Sequence, residues 1–300
     1  MKDLDWEKLA FEFQTTSISL TEMGKREKVD RRTLAKHFRE LGIEIVNKQN
    51  CSKFNEHIFD IIDSEEKAYW LGFIWADGYI SNSPNNLNVK TVYQFELSLG
   101  LKDVEHLIKF KNFMSYSKDI TIDSYRCRFM VANKHLWNTL NSYGCTPKKS
   151  LTLKFPNENI FKSTDLIRHF IRGYFDGDGC ITRYVNIRTV SPHIEVIGTS
   201  DILNNILKYS NSEATFRHDS RHSEETLFLD WNKEQGIKFI NYLYADCSVF
   251  LDRKYELYQF FKNGSRSVEE FTELSSGNIG ETPEMDNPEI TEEIKEFSVL

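Results

Sequence analysis

The sequence lacks the features that mark several common protein classes. No apolar run approaches the ~18–20 residues that a membrane span needs. The N-terminal MKDLDWEK is too acidic and too polar for a secretory signal, so a cytosolic protein is expected. The five cysteines, Cys51, Cys127, Cys145, Cys180 and Cys247, form no CxxC pair. They read as reduced core thiols, which excludes a disulfide framework and a cysteine zinc site. There is no Gly-rich phosphate loop and no Ser or Cys triad spacing. His218 and His222 in RHDSRHSEE read as a polar hairpin turn rather than a metal pair. A net positive charge is also missing, since 38 Lys and Arg stand against 45 Asp and Glu, a net of −7. That deficit is local. From Asn263 onward there are ten acids and two bases, so residues 1–262 carry 36 basic and 35 acidic residues, a net of +1. A nucleic-acid partner is compatible with that balance, because what matters is where the bases face.

What is present is one stretch written twice. Leu71 to Gly78 reads LGFIWADG, and Arg172 to Gly179 reads RGYFDGDG. Each is an apolar helical run with small residues four apart, Gly72 with Ala76 and Gly173 with Gly177. Each ends in Asp-Gly, at Asp77 and Asp178, 101 positions apart. Landmarks behind the two aspartates agree. Asp103 and Asp201, each opening a helix, lie 26 and 23 positions on; Asn133 and Asn232 lie 56 and 54 on; Lys149 and Lys254 lie 72 and 76 on. Matched offsets of this kind indicate an internal duplication. Each unit reads helix, hairpin, helix, hairpin, helix. In the first hairpin, odd positions from Val89 to Leu99 are mostly apolar and even positions mostly polar, the period of a half-buried strand.

Residues 1–46 read as a small helical domain of three helices. Trp6, Leu9, Ala10 and Phe13 give the first apolar face, Leu20 and Met23 the second, and Leu34, Phe38 and Leu41 the third. Arg32, Lys36 and Arg39 repeat the last spacing on roughly the opposite face, with Arg31 beside them. Between Gly24 and Arg39 seven bases face two acids. The segment resembles a helix-turn-helix whose last helix lies in the major groove, with Lys28 where a turn glycine is usual. A helical bundle with a solvated basic face is the alternative. Residues 47–63 read as a linker, 64–160 and 161–262 as the two repeats, and 263–300 as an acidic disordered tail.

An aspartate in the last turn of a helix meets the negative end of the macrodipole, at a cost of ~0.3–1 kcal/mol. One such residue before a glycine is an ordinary turn. Two, each behind small residues four apart, point to helices packed backbone to backbone, since interior glycine costs ~1 kcal/mol against alanine. In register, such helices bring Asp77 and Asp178 together. Two close carboxylates repel, and a divalent cation resolves the conflict; oxygen ligands with room for water suit Mg²⁺.

The paired motifs and matched repeats resemble the LAGLIDADG homing endonucleases in their single-chain, two-motif form. The resemblance covers roughly 64–260 and includes PKKSLTLKFP and FLDRKYEL. It implies an α+β fold of tandem αββαββα repeats forming a pseudo-twofold saddle. It implies a monomer that binds double-stranded DNA, without a membrane, and cuts it at a long site by Mg²⁺-dependent phosphodiester hydrolysis. Asp77 and Asp178 would be catalytic and hold the metals, aided by the carbonyls of Ala76 and Gly177. Lys149 and Lys254 would tune the site, with Lys148 and Arg253 as near alternatives. Trp75 and Gly177 depart from the motif's name but leave the acids intact. A strand of ~8 residues spans ~26 Å, about eight base pairs, so two halves would read about 16 or more. Lys90, Gln94, Arg126, Arg128, Arg183, Arg188 and Arg217 are the candidate readers, each with the alternative of a solvated sheet-face residue. The rival function is a non-cleaving DNA-binding regulator, or a maturase binding intron RNA on the same scaffold. Both aspartates favour the enzyme.

Overall fold

The computed structural model describes residues 4–15, 18, 20–43, 53–84, 91–185, 187–223 and 225–267. The chain splits into two compact units, Met1–Phe54 with Tyr116–Lys118, and Asn55–Ser115 with Asp119–Leu300.

The first unit holds α1 (Trp6–Thr15), α2 (Leu20–Glu27) and α3 (Arg31–Glu40). The apolar faces read from spacing meet in one core of Leu9, Ala10, Phe13, Leu20, Met23, Leu34 and Phe38. Leu41 is the exception. It stands at the end of α3 and is 44% exposed, while Ile43 packs on the core beyond Gly42, whose φ of +76° ends the helix. The α2–α3 turn is tight. Lys28 takes the left-handed conformation (φ 59°) that a glycine would adopt more cheaply. Gly24 is held to its size, because a Cβ there would lie 2.7 Å from the Val29 carbonyl oxygen. Asp30 caps α3 by accepting from Arg32 N at 2.7 Å.

The second unit has the expected tandem order. The first repeat is α4 (Glu65–Asp77), β1 (Gly78–Pro84), β2 (Thr91–Gly100), α5 (Val104–Phe113), β3 (Thr121–Ile122), β4 (Arg126–Ala132) and α6 (Lys134–Tyr143). The second is α7 (Leu166–Asp178), β5 (Gly179–Val185), β6 (Thr189–Gly198), α8 (Ser200–Ser210), β7 (Thr215–Arg217), β8 (Leu227–Trp231) and α9 (Lys233–Tyr244), followed by α10 (Asp252–Phe261) and β9 (Arg266–Ser267). The architecture is α+β with two antiparallel sheets, ordered β1-β2-β4-β3 and β5-β6-β8-β7. Matching capping residues open matching helices. Asn133 accepts from Leu136 N at 2.8 Å, and Asn232 from Gln235 N at 3.0 Å. Asp103 and Asp201 do open helices, at the N-cap position of α5 and in the first turn of α8, but neither caps one through its side chain. Thr199 caps α8, while the Asp201 carboxylate accepts from Phe155 N at 2.7 Å. Asp103 precedes α5 but makes no capping bond, its carboxylate being held by Arg253 at 2.9 Å.

Each sheet buries one face. In the first, Ile80, Phe95 and Val131 share a buried row, as do Leu97 and Phe129. In the second, Ile181, Ile194 and Trp231 do the same. The intervening rows remain open: Tyr79, Glu96 and Met130 in one sheet, Cys180, Glu195 and Asp230 in the other. Within the segment read as linker, Ile58, Phe59 and Ile62 are buried, and Ile62 bridges to Phe161. Residues Arg266–Ser267, expected in a disordered tail, pair as β9 with Thr189 and Val190. The tail beyond 267 lies outside the described residues.

Candidate active site

The site begins with two glycines. A Cβ on Gly72 would lie 1.9 Å from the Phe170 carbonyl oxygen, and one on Gly173 would lie 1.9 Å from that of Tyr69. The contacts are reciprocal, each helix seating its carbonyl in the other's groove. No side chain fits between α4 and α7 there. One turn on, a Cβ on Gly177 would stand 2.3 Å from Ala76 Cβ and 2.9 Å from Asp77 Oδ2. Gly177 thus departs from the motif's name for a packing reason: the crossing holds one methyl, and Ala76 supplies it. Gly78 and Gly179 are not left-handed caps. Both are extended, with φ of −72° and −93°, because each helix runs straight into a strand. A Cβ on Gly78 would meet the Ile74 carbonyl oxygen at 2.5 Å.

Asp77 and Asp178 end the two helices side by side. Burial and the negative charge of Asp178 push the Asp77 carboxyl up to about 7, against the pull of Lys254 and Lys149. Asp77 keeps solvent access, so protein atoms crowd it without sealing it. Burial also raises the Asp178 carboxyl, while Lys149 and the neighbouring Tyr174 hydroxyl, which donates to Ile197 O at 3.0 Å, act in the opposite direction. Phe73 occupies the place of Tyr174 in the first repeat, so the two carboxylates are not equivalent.

The two lysines meet the helix ends, where a cation opposes the macrodipole. Lys149 Nζ donates to Ala76 O at 2.9 Å. Lys254 Nζ donates to Phe175 O at 2.7 Å, to Asp176 O at 2.8 Å and to Gly179 O. Lys254 therefore spends all three protons on carbonyls. Burial lowers its ammonium to about 8, so it stays protonated at neutral pH. The alternatives fall elsewhere: Lys148 is exposed and Arg253 is paired with Asp103. A cleft of about 240 Å³ opens beside Asp178 and Lys149, with Tyr174, Thr199 and His222 on its wall.

Sequence reasoning missed the polar bolts behind this site. Asp176 is buried and accepts from Tyr69 Oη at 2.7 Å, from Leu251 N at 2.8 Å and from Tyr244 Oη. Arg172, fully buried, donates to Glu65 Oε1 at 2.7 Å, Val249 O at 3.0 Å and Leu243 O at 3.1 Å. His169 Nδ1 lies 2.7 Å from its guanidinium and accepts, which fits an imidazole lowered to about 4 by burial and Arg172. The signal was present: two charges inside a run otherwise read as apolar. Trp75 holds the position equivalent to Asp176, and its indole N–H donates to Lys154 O at 3.0 Å. At both positions the helix anchors the segment that carries the lysine.

The candidate readers are spread over the sheets. Gln94 and Arg128 lie in open rows of the first sheet, with Arg126 exposed at its end. Arg126 and Arg128 both approach Asp123, at 3.4 Å each. Arg217 is exposed on β7 and donates to Glu195 at 2.7 Å. Arg183 is placed differently from the rest. It pairs with Pro192, in the row parity of Ile181 and Val185, and burial lowers its guanidinium, although it still borders the open cleft of the second sheet. Arg188 is exposed in the β5–β6 turn, and Lys90 lies outside the described residues. In the first unit, Arg31, Arg32, Lys36 and Arg39 are all exposed on α3.

No protein-family model matches the chain, and no curated protein matches it. Solved structures do. The LAGLIDADG homing endonuclease I-GzeII, in complex with its DNA target, is 14% identical over 71% of this chain and 92% of that one, with a TM-score of 0.48. The meganuclease I-SmaMI, bound to uncleaveable DNA with a TTCT central four, is 13% identical over 71% and 99%, with a TM-score of 0.48. The LAGLIDADG homing endonuclease I-LtrWI, bound to target DNA, is 14% identical over 65% and 89%, with a TM-score of 0.46. At such identities no residue's role passes from those proteins to this chain.

Proposed function

We propose that this protein is a site-specific endonuclease of the LAGLIDADG homing type, acting on double-stranded DNA as a monomer with Mg²⁺. The observation that carries the reading is the backbone contact of α4 with α7, which ends two helices on crowded carboxylates at Asp77 and Asp178. That donor set fits a divalent cation. It is all oxygen, it carries more negative charge than it can hold alone, and it keeps access to solvent. Asp77 and Asp178 would hold the metal, with the carbonyls of Ala76 and Gly177 beside them. When bound, Mg²⁺ supplies charge neutralisation and Lewis-acid polarisation of a phosphate oxygen.

The chain's own groups divide the remaining work. Lys149 donates to the Ala76 carbonyl and borders the cleft, so its ammonium is placed to stabilise charge developing on a phosphate. Lys254 fixes the end of α7. One acid per repeat gives one cut per strand. The open sheet rows supply groove contacts, and the basic face of α3 supplies a helix-turn-helix contact. The test is incubation with Mg²⁺ and DNA spanning the gene's own insertion site, rejoined without the insert. Linear product of defined ends is expected. DNA bound but uncut with every divalent metal would overturn the enzyme reading in favour of a regulator or maturase.

A further inference from the structure

A second cluster of ligand-type side chains lies away from the paired aspartates. His57 and Asp60 sit in the turn ahead of α4, and His135 sits in the first turn of α6. His57 Nδ1 is 2.7 Å from Asp60 Oδ2, and His135 Nε2 is 2.7 Å from Asp60 Oδ1. The two rings are tilted, with centroids 4.2 Å apart. One ligand atom from each residue lies within 4.8 Å of both others. Two imidazoles and a carboxylate converging from two elements form a donor set for a borderline metal ion rather than for Mg²⁺. Tetrahedral ligands at ~2.0–2.1 Å from zinc stand roughly 3.3 Å apart, so the two nitrogen–carboxylate contacts, one to each Asp60 oxygen, are within about 0.6 Å of that spacing.

The surroundings add support. The second nitrogen of His57, Nε2, has the Glu56 carboxylate 3.6 Å away, a negative charge on the side of the ring opposite the Nδ1 that faces Asp60. Thr139 Oγ1 donates to Asp60 Oδ1 at 3.3 Å. The turn is also held in advance, because Asn133 bonds Glu56 and Tyr143 Oη donates to Phe59 O at 2.9 Å. Among the described residues the other cluster of this kind, His193 with Glu195 and Asp230, already holds a cation: Arg217 is 2.7 Å from Glu195 and 3.8 Å from Asp230.

We propose that His57, Asp60 and His135 bind Zn²⁺, with water in the fourth position, and that the ion clasps residues 55–60 to α6. Full-length protein stripped with EDTA and titrated with Co²⁺ tests this. One equivalent should give the visible bands of tetrahedral Co²⁺, and Zn²⁺ should displace it. His57→Asn and His135→Asn should each abolish the bands, while Asp77→Asn/Asp178→Asn and His193→Gln should keep them. Zn²⁺ should raise the melting midpoint of the wild type and not of the two histidine variants. Should a histidine variant misfold, imidazole NMR of the wild type decides: Zn²⁺ must shift the His57 and His135 rings. Absence of the Co²⁺ bands in the wild type, their survival in the histidine variants, or unmoved His57 and His135 rings overturns the proposal.

Discussion

Gly173→Ala isolates the contact on which the site depends. On helix propensity alone it should stabilise α7 by ~1 kcal/mol. The new methyl, however, would stand 1.9 Å from Tyr69 O and 2.8 Å from Phe73 N. The first of these is about 1.5 Å inside the 3.4 Å at which ordinary contact begins. Overpacking costs ~1–3 kcal/mol where side chains can yield, and here the obstacle is backbone. Parting the helices would also stretch the Tyr69–Asp176 and Glu65–Arg172 bonds, both 2.7 Å, and leaving the buried Asp176 and Arg172 each short of a partner costs ~1–3 kcal/mol apiece. The expected net loss is therefore ~3–5 kcal/mol. Urea unfolding followed by fluorescence of buried Trp70 and Trp75 should show the midpoint falling by more than ~1 M. Gly100→Ala is the control. Nothing lies within 4 Å of a Cβ there, so it should be neutral or slightly stabilising. A Gly173→Ala loss under ~1 kcal/mol, or an equal loss at Gly100, would refute the backbone contact.

Three further outcomes follow from the same geometry. The Asp77 carboxyl is pushed up from 3.8 to about 7, so between those values the folded state binds more protons than the unfolded chain and stability falls as pH rises. Urea titrations in EDTA at pH 5 and 8 should show that slope, and Asp77→Asn should flatten it. Lys254→Met leaves three carbonyls without their donor and should cost ~3 kcal/mol or more. Lys149→Met should cost less stability, yet lower single-turnover cleavage more. Removing residues 1–46 should weaken DNA affinity and shorten the protected footprint; an unchanged footprint would remove the helix-turn-helix reading.

Much of the fold was legible because the duplication doubled each weak signal. One Asp-Gly after an apolar helix is a turn, whereas two, with Asn133 and Asn232 capping matched helices, fix a repeat. The small residues at 72, 76, 173 and 177 disclosed the helix contact because glycine inside a helix is costly without one. The signal ran out where partners come from distant sequence. Nothing near Asp176 announces Tyr69, Tyr244 and Leu251 N as its donors, and nothing near Arg172 announces Glu65. Asp201 opens α8 without capping it, and its carboxylate instead accepts from Phe155 N, 46 residues away in sequence. Arg183 resembles its neighbours in the chain, and only the ladder register, opposite Pro192, sets it apart.

The central claim is that Asp77 and Asp178 complete one cation site that cuts DNA. Its most direct test is Asp178→Asn, assayed with Mg²⁺ on insertion-site DNA alongside a binding measurement at the same salt. Double-strand cutting should be abolished while affinity for the DNA stays within a few-fold of wild type. Cutting at the wild-type rate, or binding lost in step with cutting, would contradict the account.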